Sequence, residues 1–345
     1  MSRRTQQRIL IGIALYFVGL AVVKNNPLWV EYFYSDRLYP AISGLNQWLW
    51  SWVPFSVGDV GYMLGIVLLI RNLFLFSFRR HFWKSITLTG IIVVLFYTSW
   101  GLHYFKTPMR TQRELPEILS VTHLIQTATY YANQSTGLHK KLSSSPLHKV
   151  ETDIEKKALL NLATQTMENA SLRPENLHGK AKATLFPTLL SYMGFGGYAN
   201  PFTHEAQVNT LQPKLRIITT ACHEIAHQWG FAAEEEANYI GIKASTQSEN
   251  TLVAYAGNVL AFQYLINALY RADATKAKEI MATLPKGVLE NIREVRVFWQ
   301  QYQNPFEPFF EKSYDQYLKA NHQQAGIQSY SLVVGLLVDD FVNPK

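Results

Sequence analysis

Three long stretches with almost no charge lie within the first 106 residues, and they constrain this chain more than any other feature. Ile9–Val23 (ILIGIALYFVGLAVV) has no charged residue, Pro54–Ile70 has only Asp59, and Ser85–Leu102 has none over eighteen positions. At a rise of about 1.5 Å per residue, each is a candidate to span the ~30 Å hydrocarbon core of a bilayer. Arg8 and Lys24 lengthen the first by reaching toward the headgroups, and Trp100, Tyr104 and Phe105 suit the interface at the end of the third. The expected spans are about 9–25, 54–72 and 85–105. A buried core helix is the alternative for each. A cleaved signal peptide is a further alternative for the first, but no small-x-small cleavage site follows it.

The positive charge sits beside these stretches. Residues 1–106 hold ten Lys and Arg against Glu31, Asp36 and Asp59, whereas the rest of the chain carries 22 of each sign. A net charge of +7 distributed in this way marks membrane topology rather than a nucleic-acid face. Arg3, Arg4 and Arg8 precede the first stretch, and Arg71, Arg79, Arg80 and Lys84 follow the second. The intervening loop, 24–53, has only Lys24 and Arg37, offset by Glu31 and Asp36. The positive-inside rule then places the N-terminus and the 71–84 hairpin in the cytoplasm. Everything after Lys106 is expected outside it, in the periplasm if the cell has two membranes. The single cysteine, Cys222, excludes intrachain disulfides and reads as a buried small hydrophobe.

The composition break at Lys106 separates a transmembrane region, 1–106, from a body, 107–345. The body reads as mainly α with a small β element. Helices are expected over Pro116–Asn133, Glu151–Ala170, Pro213–Trp229, Glu234–Ala244, Thr251–Ala272, Val288–Tyr302 and Tyr330–Phe341. One or two short strands are expected in the glycine-rich segment Phe186–Asn209.

The chemistry concentrates in the helix Pro213–Trp229, which carries His223-Glu224-Ile225-Ala226-His227. HExxH on a helix puts two imidazoles one turn apart on one face, aimed at a common point, with the glutamate near any metal-bound water as general base. Ile217, Ile218, Ala221, Cys222, Ile225 and Trp229 form the packing side, and Gly230 suits the helix end. A catalytic zinc takes three protein ligands and a water. Glu234, Glu235 and Glu236 follow, and Glu234 shares the small-residue stripe of Ala237, Gly241 and Ala244, so it is the expected third ligand. Glu235 and Glu236 point elsewhere and are expected as solvated charge near a helix start, unless the whole cluster merely complements the helix dipole. Asn238 is a candidate to orient a ligand histidine.

The pattern HExxHxxG followed by ExxAN resembles the gluzincin zinc peptidases, with Glu234 in the ligand position and Asn238 in place of the usual aspartate. The spacing from His227 to Glu234 is shorter than in the best-known gluzincins. Over nearly its full length the chain resembles a bacterial membrane family catalogued as domain of unknown function 3810. The shared segments are NPxWVExxYS at Asn26–Ser35, PFSVGD at Pro54–Asp59, GYxNPFTxEAQVN at Gly197–Asn209, CHEIAHQ at Cys222–Gln228, EEEAN at Glu234–Asn238 and SY at Ser329–Tyr330. The resemblance implies the topology and the zinc motif, and no substrate. With side-chain chemistry, it makes His204 and Tyr330 candidates for a catalytic oxyanion donor.

The expectation is therefore a zincin-like α+β metallohydrolase domain behind three transmembrane helices, which holds Zn2+ through His223, His227 and Glu234. It would hydrolyse peptide bonds outside the cytoplasm with Glu224 as base, meeting a peptide or protein substrate and the lipid bilayer but no nucleic acid. The strand region Tyr198–Asn209, placed before the active helix, is a candidate to bind peptide by main-chain pairing. The alternatives are a membrane-tethered scaffold or binding protein with structural zinc, and a non-peptide hydrolase using the same metal chemistry.

Overall fold

The computed structural model describes residues 3–75, 78–323 and 332–344. The chain falls into two compact units, Met1–Thr107 with Asn200–Glu205, and Pro108–Ala199 with Ala206–Lys345. Tyr330 lies outside the described residues.

The first unit is helical. It contains α1 (Arg3–Val23), α2 (Pro27–Trp29), a π-helical stretch (Val30–Leu38), α3 (Tyr39–Trp50), α4 (Val57–Leu75), α5 (Phe78–Ser99) and a 3-10 turn (Gly101–Phe105). α1 is long and apolar enough to cross a bilayer, and Trp83–Ser99 forms a shorter apolar helix. α1 and α5 run in the same direction. Gln6 donates to Thr87 Oγ1 at 3.4 Å near one end, and the Tyr16 and Thr98 hydroxyls meet at 3.0 Å further along both helices. Gly90 lets Ile13 approach, since a β-carbon there would sit 2.8 Å from Ile13 Cδ1.

The segment 24–53, expected as a loop, is largely helical instead. It lacks a clean apolar stripe because aromatic residues occupy both its buried and its exposed faces. Its buried side meets a compact polar and aromatic cluster. Ser35 Oγ lies 3.1 Å from His103 Nδ1, and Tyr39 packs edge-on against His103 and face-on against His204. Residues 200–205 belong to this unit. The Glu205 carboxylate accepts from the backbone N–H groups of Val57 and Gly58 at 3.1 and 2.7 Å, capping the orphan donors at the start of α4.

The second unit holds α6 (Met109–Gln112), α7 (Val121–Leu142), α8 (Lys156–Glu168), β1 (Ala181–Ala183), α9 (Pro187–Tyr192), β2 (Gly197–Ala199), β3 (Ala206–Val208), α10 (Lys214–Gln228), α11 (Glu234–Thr246), α12 (Thr251–Ala272), α13 (Ala274–Ala282), α14 (Lys286–Gln300), α15 (Glu307–Ala320) and α16 (Val333–Val342). Its sheet has the order β1-β3-β2, with β1 parallel and β2 antiparallel to β3. β1 lies before the segment in which strands were expected. Three residues are too few for a period-two pattern to register.

α12 passes the length and composition test for a membrane span, but 78% of that span is buried inside the protein. It packs on α7, α10 and α11, so its apolar residues serve this unit's core. α10 is buried nearly all round, with Ile217, Ile218, Ala221, Cys222 and Ile225 fully inside.

Candidate metal centre

α10 ends in a Schellman motif that shapes the site. Gly230 adopts φ +83°, a left-handed conformation that glycine takes without steric cost. The Phe231 N–H then bonds to Ala226 O at 3.2 Å, and the Gly230 N–H to His227 O at 3.0 Å. This turn carries the Phe231 carbonyl back under the histidine, where His227 Nδ1 donates to it at 2.7 Å. With Nδ1 donating to that carbonyl, Nε2 is the ring nitrogen turned inward, toward His223 and Glu234.

α11 packs on α10 through Gly241. A β-carbon there would meet the His223 nitrogen at 3.0 Å and the Cys222 carbonyl carbon at 3.2 Å. The close approach brings the first residue of α11, Glu234, to both imidazoles. Its Oε2 lies 3.3 Å from His223 Nε2 and 3.7 Å from His227 Nε2, and the two Nε2 atoms are 3.1 Å apart. Ligand atoms ~2.0–2.1 Å from a tetrahedral ion are separated by about 3.3–3.4 Å, so this triangle has the dimensions of one face of such a tetrahedron. An oxygen of Glu224 also falls within 4.8 Å of the imidazole nitrogens.

Glu234 and the two histidines are electrostatically coupled. Glu234 is buried, and burial alone pushes its pKa up, but the two imidazoles outweigh that and hold its carboxyl well below the usual range. Burial pulls His227 down, yet Glu234, aided by Glu224 and the Phe231 carbonyl, leaves it raised to about 9. Burial, with Glu234 adding and His227 opposing, pushes Glu224 up to about 8. Two further atoms at the cluster, His223 Nδ1 and Glu224 Oε2, are buried without a hydrogen-bond partner among the described residues.

Glu224 is enclosed by the sheet. A β-carbon on Gly197 of β2 would lie 2.8 Å from Glu224 Oε1 and 2.6 Å from the Gln207 carbonyl oxygen. β2 is an edge strand, and Gln212, at the entry to α10, ties it in place by donating to the Gly196 and Asn209 carbonyls at 2.8 and 2.9 Å.

The outer oxygen of Glu234, Oε1, accepts a hydrogen bond from the Tyr314 hydroxyl of α15. Tyr314 also packs edge-on against Phe195, two residues before β2. Nothing in the sequence singles it out. It is 80 positions from its partner, in a helix with three other aromatic residues.

Asn238 faces away from the histidines. Its Nδ2 donates to the Glu234 carbonyl at 2.8 Å and its Oδ1 accepts from Tyr264 at 3.1 Å, tying the first turn of α11 to α12. Glu235 and Glu236 are not solvated, contrary to expectation, being 6% and 8% exposed. Glu236 accepts from the Met109 N–H at 2.5 Å, while Glu235 Oε2 has no partner among the described residues. His204 lies in the first unit, where its Nε2 meets Ser99 Oγ at 2.8 Å. Its backbone is left-handed, at φ +52°. Burial pushes its imidazole down to about 4, so it is neutral at physiological pH.

Fold and site together define a mainly helical protein with a small mixed sheet beside a buried cluster of two histidines and two glutamates. The chain belongs to the family described as Protein of unknown function (DUF3810), whose model matches residues 34–338. No curated protein matches it significantly, and no solved structure does.

Proposed function

We propose that this chain is a membrane-anchored zinc metallopeptidase whose catalytic domain works outside the cytoplasm. The observation that carries the reading is the triangle formed by His223 Nε2, His227 Nε2 and Glu234 Oε2, with sides of 3.1, 3.3 and 3.7 Å. Two imidazole nitrogens and a carboxylate are the donor set of many catalytic zinc sites. Three electron-rich atoms this close, buried together, fit a cation between them.

Bound there, zinc would supply Lewis acidity and lower the pKa of a water toward ~7. The other roles fall to the chain itself. Glu224 takes the proton of the attacking water and passes it to the leaving amine. A buried carboxylate one residue along the helix from His223 is placed to take that proton and hand it on. The Phe231 carbonyl keeps His227 in the tautomer that a ligand requires. Edge strand β2 runs past Glu224 and offers main chain against which an extended peptide can pair.

Three spans give the membrane reading. Crossing outward, inward and outward again in alternation requires α1 and α5 to share a direction, and the contacts of Gln6 with Thr87 and Tyr16 with Thr98 support that. The charge asymmetry supports a cytoplasmic N-terminus and an extracytoplasmic body. The test compares zinc content and peptide hydrolysis in wild type and Glu224→Gln. Zinc retained in both, with turnover in wild type alone, is the expected result. Zinc retained without turnover by either on a broad peptide library would favour a scaffold.

A further inference from the structure

The helical segment between α1 and α4 was expected as a loop, and its outward face is strongly apolar. Leu28, Trp48 and Trp52 are 71%, 74% and 76% exposed, and Trp29, Phe33 and Leu45 are exposed beside them. The opposite face is fixed to the first unit by Val30, Tyr34, Tyr39 and Ser43, all buried, so these side chains cannot turn inward together without unpacking it. Exposed apolar surface on this scale does not stand in water without a partner.

The charges of the segment are largely consumed locally. Glu31 accepts from the Thr107 N–H at 2.8 Å. The Arg37 guanidinium lies over the Tyr32 ring, 3.9 Å from its centre, and bonds to its hydroxyl. Asp36 and Lys24 offset each other. An acidic or basic macromolecular partner therefore finds no net charge to recognise. Tryptophan-rich, neutral, half-apolar surface is the composition of a membrane interface.

The flanking helices identify the occupant. On α4, Tyr62 through Ile70 are exposed on every side of the helix, with no packed stripe. A second copy of the chain would cover one stripe, whereas a lipid solvent covers all of them. Whatever surrounds α1 and α4 continues without a break in sequence onto the segment between them. We propose that residues 27–55 form an interfacial platform, embedded by Leu28, Trp29, Phe33, Leu45, Trp48 and Trp52 at the headgroup–acyl boundary of the leaflet opposite the cytoplasm. This rests on the membrane reading above.

Nitroxide scanning of the full chain in phosphatidylethanolamine–phosphatidylglycerol vesicles tests it. Cys222 is fully buried, so the native chain gives little labelling background. Single variants Trp48→Cys and Trp52→Cys are compared with Leu15→Cys on α1 and Leu147→Cys, an exposed position in the second unit. Labels at 48 and 52 should relax faster with oxygen than with a water-soluble nickel chelate, at depths between those of 147 and 15. If 48 and 52 are as open to nickel as 147 while 15 is protected, the membrane reading survives and the platform is overturned. Protection of 48 and 52 from both reagents, with immobilised spectra, means that protein covers the face and equally overturns it. Nickel access at 15 removes the span itself, and the platform with it.

Discussion

Gly197 has no room for a side chain because the Glu224 carboxylate lies against it. A β-carbon at Gly197 would sit 2.8 Å from Oε1 and 2.9 Å from Cγ of Glu224, with the Gln207 carbonyl behind. The glycine thus lets strand backbone and the proposed base share one space. Gly197→Ala should displace Glu224, strand β2 or both. The expected cost is ~1–3 kcal/mol in stability, with hydrolysis reduced at least tenfold and zinc retained. Unchanged turnover in Gly197→Ala would show that Glu224 does not need this position.

The three adjacent glutamates should behave differently. Glu234→Gln weakens a ligand and should empty the site on mild chelation. Glu236→Gln keeps an oxygen for the Met109 N–H and should retain zinc with near-native stability. Glu235 is the informative case. Burial, then its glutamate neighbours, push its carboxyl up to about 7. A carboxyl raised in the folded state contributes most below its unfolded pKa, and that contribution is lost as pH rises through the folded value. Glu235→Gln should therefore melt higher than wild type at pH 8, with the gap closing toward pH 5. Thermal melts at both pH values check this.

Tyr314 holds the outer oxygen of Glu234, so it should stiffen the ligand carboxylate. Tyr314→Phe keeps the ring against Phe195 and removes only the hydroxyl. Zinc affinity, measured by competition with a chromogenic chelator, should fall by ~10–100-fold while the melting temperature of the zinc-loaded protein changes little. Native affinity in this variant would reduce the hydrogen bond to packing.

Reporter fusions after Lys345 test the topology. Exported reporters should be active and cytoplasmic ones silent. The reverse pattern contradicts the orientation and with it an extracytoplasmic substrate.

How much was legible depended on how many residues carried each signal. α10 and α12 were readable because long apolar periodicity and a clear stop, Gly230 in the first case, mark them. The sharing of one face by Glu234, Ala237 and Gly241 was readable from helical spacing, and Gly241 does form the close contact with α10. The burial of Glu235 and Glu236 was not. For Glu236 it follows from α6, which is only four residues long and whose Met109 N–H bonds to its carboxylate. The helical segment 27–50 was missed because its buried and exposed faces are both apolar, and β1 because three residues hold no pattern. Tyr314 was invisible because its partner is distant in sequence.

The central claim is that His223, His227 and Glu234 hold one zinc and that Glu224 works beside it. Metal analysis of full-length protein purified without chelator, in wild type, His223→Ala, His227→Ala and Glu224→Gln, tests this most directly. The account predicts about one zinc per chain in wild type and Glu224→Gln, and little or none in either histidine variant. Folded wild-type protein that binds no zinc even when it is supplied, or histidine variants that keep it, would contradict it.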